Sequence, residues 1–215
     1  MSFMYKVAKI LAPIPLKLGG IRIIGKENIP DDAALLVICN HISYGDPLAV
    51  GYALPREMTF IAKEDFSKNF FTRTLFSSLG AVFLKKDESD LTTMRIVLSE
   101  LKKGNVVALF PEGRRNIDQQ MSEFKDGASF IAHRAQVRVL PMSVINTGDY
   151  WRFWKRNIIV VIGEPIDTPT GKMDKKIMSE QTKLYKQKVE ELFDKGLNIL
   201  KSENRPMRKV KNKKI

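Results

Sequence analysis

His41 directly follows the aliphatic run ALLVIC in the stretch CNHISYGDP, and Asp46 stands five positions after it. An imidazole, with an unperturbed pKa of about 6.5, can take a proton from a hydroxyl at neutral pH. Asp46 precedes Pro47, which is also the signal for a helix N-cap with proline at the first helical position. The two uses are compatible, because a carboxylate has two oxygens: one can cap the helix while the other takes the N–H of His41. So placed, the aspartate fixes the tautomer that leaves the second ring nitrogen as a base and stabilises the imidazolium, as in hydrolase triads. A nucleophile is what the pattern lacks. There is no G-x-S-x-G elbow, and Ser43 has no flanking pattern to support it. The pair therefore points to a hydroxyl supplied by a substrate, and to transfer onto an alcohol instead of hydrolysis through an acyl-enzyme.

A second cluster lies in FPEGRRN, residues 110 to 116. Arg114 and Arg115 bring planar donor forks that match phosphate oxygens, and the N–H groups of a glycine-containing turn can add to them. A solvated basic turn is the plainer meaning of the arginines alone. Lys63 in FIAKED and Lys85 and Lys86 in GAVFLKK also close aliphatic runs. Gathered on one edge of a sheet, these cations would form a phosphate pocket.

Such an edge is what the rest of the chain predicts. Short aliphatic runs at 21 to 25, 34 to 39, 58 to 62, 81 to 85, 105 to 110, 137 to 145 and 157 to 163 read as strands. Helices are expected at 47 to 54, 67 to 79, 90 to 103 and 126 to 135, with a long amphipathic one from 174 to 200 that has Ile177, Leu184, Val189, Phe193 and Leu197 near one face. Alternation of this kind is α/β architecture, and fully apolar strands require a sheet covered on both faces. Ligand sites in such sheets form where strands end and helices begin, which is where NHISYGD and PEGRRN fall.

In this order, N-H-x4-D (NHISYGD), G-x-x-F-[IL] with a basic residue (GAVFLKK), F-P-E-G (FPEGRRN) and an aliphatic run with an internal proline (VRVLPMSV) resemble the glycerolipid acyltransferase family, specifically the 1-acylglycerol-3-phosphate (lysophosphatidic acid) acyltransferases. FKDGASFIAHRAQ and VVIGEPI add to the resemblance, which runs from about residue 20 to 167. It implies a single α/β domain with a largely parallel or mixed central sheet flanked by helices, preceded by a short N-terminal amphipathic helix. It also implies acyl transfer from a thioester to the sn-2 hydroxyl of 1-acylglycerol-3-phosphate, giving phosphatidic acid. His41 would be the general base and Asp46 its orienting partner. Glu112, Gly113 and Arg115 would belong to the acceptor-binding motif, with Lys86 where the family commonly has a phosphate-binding arginine. Lys63 and Arg114 are further candidates for the phosphate. No bound cofactor is implied; acyl-CoA or an acyl carrier protein thioester is the donor substrate. Lys86 keeps the charge but loses the bidentate fork, and Arg114 and Asn116 stand where threonine and serine are common, which bears on the head group more than on the reaction, so the alternative is acylation of another lysophospholipid or a lyso-aminolipid.

The remaining features fit around that reading. A net charge of +12 calls for an anionic partner: nucleic acid, an acidic carrier or a membrane surface. A nucleic-acid binder would use the aromatics interleaved with arginine at 149 to 157 but leaves N-H-x4-D unexplained. A peripheral membrane protein that has lost catalysis is opposed by the intact His41 and Asp46. Residues 1–18 pattern as an amphipathic surface helix, too interrupted by Lys6, Lys9, Pro13 and Pro15 to span a bilayer. The acyltransferase domain is expected at 19–203 and a basic, disordered tail at 204–215; Trp151, Phe153 and Trp154 are candidate interfacial anchors. The expected location is peripheral or monotopic on the cytoplasmic face of a membrane. A single cysteine, Cys39, excludes an internal disulfide and fits a reducing compartment, no metal-ligand spacing is present, and His133 reads as structural or exposed.

Overall fold

All seven aliphatic runs join one sheet in the computed structural model, which describes residues 14, 20–31, 34–84, 90–118, 120–149, 157–205 and 207. The strands are β1 (Arg22–Ile24), β2 (Leu35–Cys39), β3 (Met58–Lys63), β4 (Ala81–Leu84), β5 (Val106–Leu109), β6 (Val139–Ile145) and β7 (Ile159–Ile162). Across the sheet they run β1-β7-β6-β2-β5-β3-β4. The strands from β6 to β4 are parallel; β7 is antiparallel to β6 and parallel to β1, so the sheet is mixed. The helices are α1 (Asp46–Ala53), α2 (Phe70–Ser78), α3 (Asp90–Lys102), α4 (Gly127–Ala135) and α5 (Lys175–Ser202).

β2 shows why the run had to be apolar throughout. Every one of its residues is buried. Leu35, Val37 and Cys39 pack with Ala49 and Val50 of α1 and with Phe76 of α2. Leu36 and Ile38 face the other way, against Val97 of α3, Ile131 of α4 and Tyr185 of α5. Each fully buried aliphatic side chain of this kind stabilises the fold by about 1.5–3 kcal/mol. A polar residue anywhere in β2 would be stranded on one covered face or the other.

A proline inside central β6 needs a reason, since it removes a ladder donor. Val139 exchanges both backbone bonds with Ile166, so the Val139 N–H faces the β7 side. Pro141, two residues on, turns its nitrogen to the same side. There Gly163, just past the end of β7 at Ile162, still donates its N–H to the Pro141 carbonyl at 2.9 Å, so the proline gives up only the return bond of that pair. The loss falls at the end of the β6–β7 ladder, and the two bonds between Val139 and Ile166 hold the chain on its other side.

Helix α5 starts where Asp174 accepts the Ile177 N–H at 2.8 Å, an N-cap bond. Its buried face centres on Thr182, Tyr185, Val189, Gly196 and Leu200, while Ile177, Leu184, Phe193 and Leu197 are only partly covered. The face is rotated from the expected one because a tyrosine and a glycine lie at its middle. At Gly196 an added Cβ would sit 2.4 Å from Ile145 Cδ1, so the helix lies close against β6 and any side chain there would have to displace the tip of Ile145. His133 bonds the Pro169 carbonyl through Nδ1 at 3.0 Å and ties α4 to the segment before α5. Asn204 and Arg205 finish the α5 terminus, with the Arg205 N–H on the Leu200 carbonyl at 2.8 Å. The amphipathic helix expected at 1–18 (apart from Ile14), Lys85, Lys86, Trp151, Phe153, Trp154 and the tail from Arg208 lie outside the described residues.

Candidate active site

β2 and β5 are neighbours in register, with Ile38 opposite Leu109. Continuing both strands by the same distance brings His41 and Glu112 together just beyond the carboxyl edge. Asn40 makes the exit from β2 possible. Its side chain donates to the Val144 carbonyl at 3.0 Å and accepts the Val144 N–H at 2.8 Å, standing in for the next rung of the ladder. The main chain is then free to turn at His41.

His41 is held on every side. Its backbone N–H donates to Glu112 Oε1 at 2.7 Å, and its carbonyl accepts the Asn116 N–H at 2.7 Å. The imidazole stacks on Phe110, with ring centroids 4.3 Å apart and planes 23° from parallel. Nδ1 lies 2.6 Å from Asp46 Oδ2. A carboxylate there needs a donor, so the proton belongs on Nδ1 and the lone pair on Nε2. The ring is 19% exposed and Asp46 not at all.

Asp46 does not cap α1. It is the first residue of the helix, behind Gly45, and its oxygens reach backwards. Oδ2 accepts the N–H groups of Ile42 at 2.7 Å and Ser43 at 2.9 Å besides the imidazole. Oδ1 accepts the hydroxyl of Thr147, which follows β6. The sequence permitted a cap on one oxygen and His41 on the other; the fold turns the cap oxygen to Thr147, because the C-terminal end of β6 lies beside that of β2. Thr147 gave no motif signal. The edge rule that singled out the ends of β2 and β5 would have pointed to it had it been applied to β6.

The buried Glu112 carboxylate is as fully engaged. Oε1 holds His41, and Oε2 accepts the Ser122 N–H at 2.8 Å, the Ser122 hydroxyl at 3.1 Å and the Asn116 amide. Gly113 turns the chain with φ of 69°, and a Cβ on it would meet Lys125 Cε at 2.9 Å. Lys125 thereby joins the basic turn, held there by its N–H on the Pro111 carbonyl at 2.9 Å. The Arg115 guanidinium lies over the Tyr44 ring, 3.6 Å from its centroid, so the loops after β2 and β5 meet across the site. Arg114 and Lys63 are exposed, the latter at the end of β3, on the far side of β5 from His41.

Two other candidates for covalent chemistry are accounted for. Burial, and behind it the charges of Asp46 and Glu112, push the Cys39 thiol well above its ordinary value, so it stays neutral. The Ser43 hydroxyl accepts the Gly45 N–H at 3.0 Å and shapes the turn before α1. What is presented outward is an imidazole with a free lone pair and a bank of cations, an arrangement able to deprotonate a hydroxyl on an anionic molecule.

The acyltransferase family model matches residues 20–145, more than half of the chain. This protein belongs to the acyltransferase family. The acyltransferase is 24% identical over 197 residues to the 1-acyl-sn-glycerol-3-phosphate acyltransferase of Bacillus subtilis, covering 89% of this chain and 98% of that one. To the enzyme of the same name from Borreliella burgdorferi it is 29% identical over 150 residues, 68% of this chain and 59% of that one. Among solved structures it is similar to the 1-acyl-sn-glycerophosphate (LPA) acyltransferase PlsC of Thermotoga maritima. That match has a TM-score of 0.64 and 26% identity and covers 89% of this chain and 83% of the other. The α/β fold with its mixed seven-stranded sheet is thus shared. No helix among the described residues is long and apolar enough to cross a membrane.

Proposed function

We propose that this acyltransferase moves a fatty acyl group from a thioester to the sn-2 hydroxyl of 1-acylglycerol-3-phosphate at a membrane surface on its cytoplasmic side, yielding phosphatidic acid. The observation that carries the reading is the His41–Asp46 pair, held by Thr147 and Glu112, with the turn that bears Arg114 and Arg115 tied to the His41 carbonyl through the Asn116 N–H. The names of the relatives supply the acceptor.

The steps follow from the chemistry of the groups. The acceptor's phosphate docks on Arg115, with Arg114, Lys125, Lys63 and Lys86 adding charge. This places the free hydroxyl at His41 Nε2, which removes its proton as the oxygen attacks the thioester carbonyl. Asp46 balances the imidazolium that forms. As the tetrahedral intermediate collapses the C–S bond breaks, and the leaving thiolate takes the proton back from Nε2. Glu112 acts in this scheme as a clamp on the His41 backbone and not as a phosphate ligand, since its oxygens are occupied and its charge would repel the anion.

Mass spectrometry of the products tests the reading. Wild type and His41→Ala receive lysophosphatidic acid in vesicles with a long-chain acyl-CoA, then with the acyl carrier protein thioester. Phosphatidic acid from wild type, with a turnover loss of about 10²- to 10⁴-fold in the variant, is the expected result. The better thioester names the donor. Undiminished turnover by His41→Ala would remove the base, and product only from another lysolipid would replace the acceptor.

A further inference from the structure

Strand order alone sets Lys63 apart from His41. β5 lies between β2 and β3, so the segments that leave β2 and β3 start about 10 Å apart, two strand spacings. A row of aromatic rings closes that gap. Phe60, buried in β3, has its ring centroid 6.0 Å from that of Phe76 in α2, and Phe76 lies 5.0 Å from Phe66. Phe66 belongs to the 3-10 turn (Glu64–Ser67) directly after Lys63. It meets Tyr44 edge to face, with centroids 5.1 Å apart and planes at 74°, and the Tyr44 ring in turn carries the Arg115 guanidinium. Rings at these separations attract one another. The Thr72 hydroxyl of α2 donates to the Phe66 carbonyl at 2.7 Å, so the backbone of the turn is pinned as well as the ring. The row crosses the end of β5 and ties the segment that begins at Lys63 to the loop that bears Arg115.

We propose that Phe66 is a positioning residue for the acceptor: through Tyr44 it holds Arg115 and the Lys63 segment at one spacing, so that both cations close on a single phosphate and a monoester is preferred to a diester headgroup. Two like charges on neighbouring loops repel one another. An aromatic support shared by both loops fixes their separation before the acceptor arrives, which is how preorganisation raises affinity. Asp65, two residues after Lys63, is paired with Lys68 at 2.7 Å, and among the described residues no carboxylate pairs with Lys63 or Arg115, so both charges remain for a ligand. A phosphate monoester offers three acceptor oxygens and close to two negative charges at neutral pH. A diester has one charge and fewer free oxygens, and gains less from two convergent cations. The inference rests on the phosphate-bearing acceptor proposed above and deepens it by naming what sets the preference for the monoester.

Kinetics and a distance measurement test it together. Phe66→Leu removes the ring and should raise KM for lysophosphatidic acid by about two- to tenfold, the range one aromatic pair spans, with kcat nearly unchanged. Its effect on lysophosphatidylglycerol, a diester, should be smaller, and Phe66→Tyr should keep the wild-type KM. In an Arg115→Ala background Phe66→Leu should add little, because the two residues act through one another. A fall in kcat with KM unmoved, equal effects on the two lipids, or the full effect of Phe66→Leu without Arg115 would each overturn the proposal. The spacing itself is read without any acceptor. Lys63→Cys and Arg114→Cys in one chain accept spin labels, while the buried Cys39 does not. The distance distribution between the labels should be narrow in the parent and broaden in Phe66→Leu. Tyr44→Leu, at an exposed position, should broaden it too, which keeps the test intact if Phe66→Leu folds poorly. A distribution that is broad in the parent, or that neither variant changes, overturns the proposal. If wild type acylates neither lipid, the acceptor proposed above fails, while the label distances still decide whether Phe66 sets the spacing.

Discussion

Thr147 donates its hydroxyl to Asp46 Oδ1 across 101 positions of sequence, with both residues buried. It is the only side chain on that oxygen among the described residues; the imidazole and two backbone N–H groups share the other. Losing a hydrogen bond to a buried charge costs about 1.5–3 kcal/mol, and here the carboxylate is also what aims the imidazole. Thr147→Val should therefore lower kcat at least tenfold with little change in KM for the acceptor, and Thr147→Ser should restore it. In an Asp46→Asn background Thr147→Val should add little, because residues acting through one another are not additive. Additive losses in steady-state kinetics would show Thr147 to be packing alone.

Glu112 offers a contrast between a clamp and a ligand. Glu112→Gln keeps the shape but turns an amide N–H₂ toward donors: toward His41 N–H on one side, or toward Ser122 and Asn116 on the other. The loss should be about 1.5–3 kcal/mol, which in a domain of this size lowers Tm by several degrees. Calorimetry should find that drop, and kinetics should find kcat reduced more than acceptor KM is raised. A change confined to KM, with Tm unmoved, would return Glu112 to acceptor binding.

These two residues mark where the sequence stops being legible. The strands could be read because a sheet covered on both faces demands aliphatic residues at every position, as in β2 and β7. The His41 and Asp46 pair could be read because five residues of local turn hold both ends of the bond. The strand-end rule applied to β6 reaches Thr147 but not its partner, which is fixed by β6 lying beside β2, a fact of topology. The Glu112 environment depends on Ser122 folding back over the turn, and no spacing encodes that. On α5 the aliphatic stripe was visible, but the helix rolled to bury Tyr185 and Gly196, because close approach to Ile145 decides the contact.

Arg115 over Tyr44 joins the loops after β2 and β5, and the stack leaves the guanidinium edge available to a phosphate. Arg115→Ala should raise KM for the anionic acceptor by tenfold or more and leave kcat within a few fold. Arg115→Lys should recover only part of this, since an ammonium has neither the fork nor the flat face. Tyr44→Leu keeps the charge and removes the platform, so its effect should be smaller; a stack of this type is worth about 0.5–2 kcal/mol. Acceptor titrations of the three variants check the order, and a Tyr44→Leu effect exceeding that of Arg115→Ala would contradict it.

Cys39 gives a pH dependence whose sign can be worked out. Burial raises its thiol in the folded protein, whereas in the unfolded chain it ionises at about 8.5. Below that pH both states hold the proton and the contribution to stability is constant. Above it the unfolded chain loses the proton first, so stability falls by up to about 1.4 kcal/mol per pH unit until the folded thiol also ionises. Tyr185, raised by burial as well, acts in the same direction at higher pH. Urea midpoints between pH 8 and 10 should therefore decline more steeply for wild type than for Cys39→Ala, with Tyr185 common to both. The native thiol should also resist a disulfide reagent at pH 8 and react fully in denaturant, because the reagent meets a thiolate only once the chain has opened. Parallel urea curves for the two proteins, or prompt reaction of the native thiol, would show that Cys39 reaches solvent.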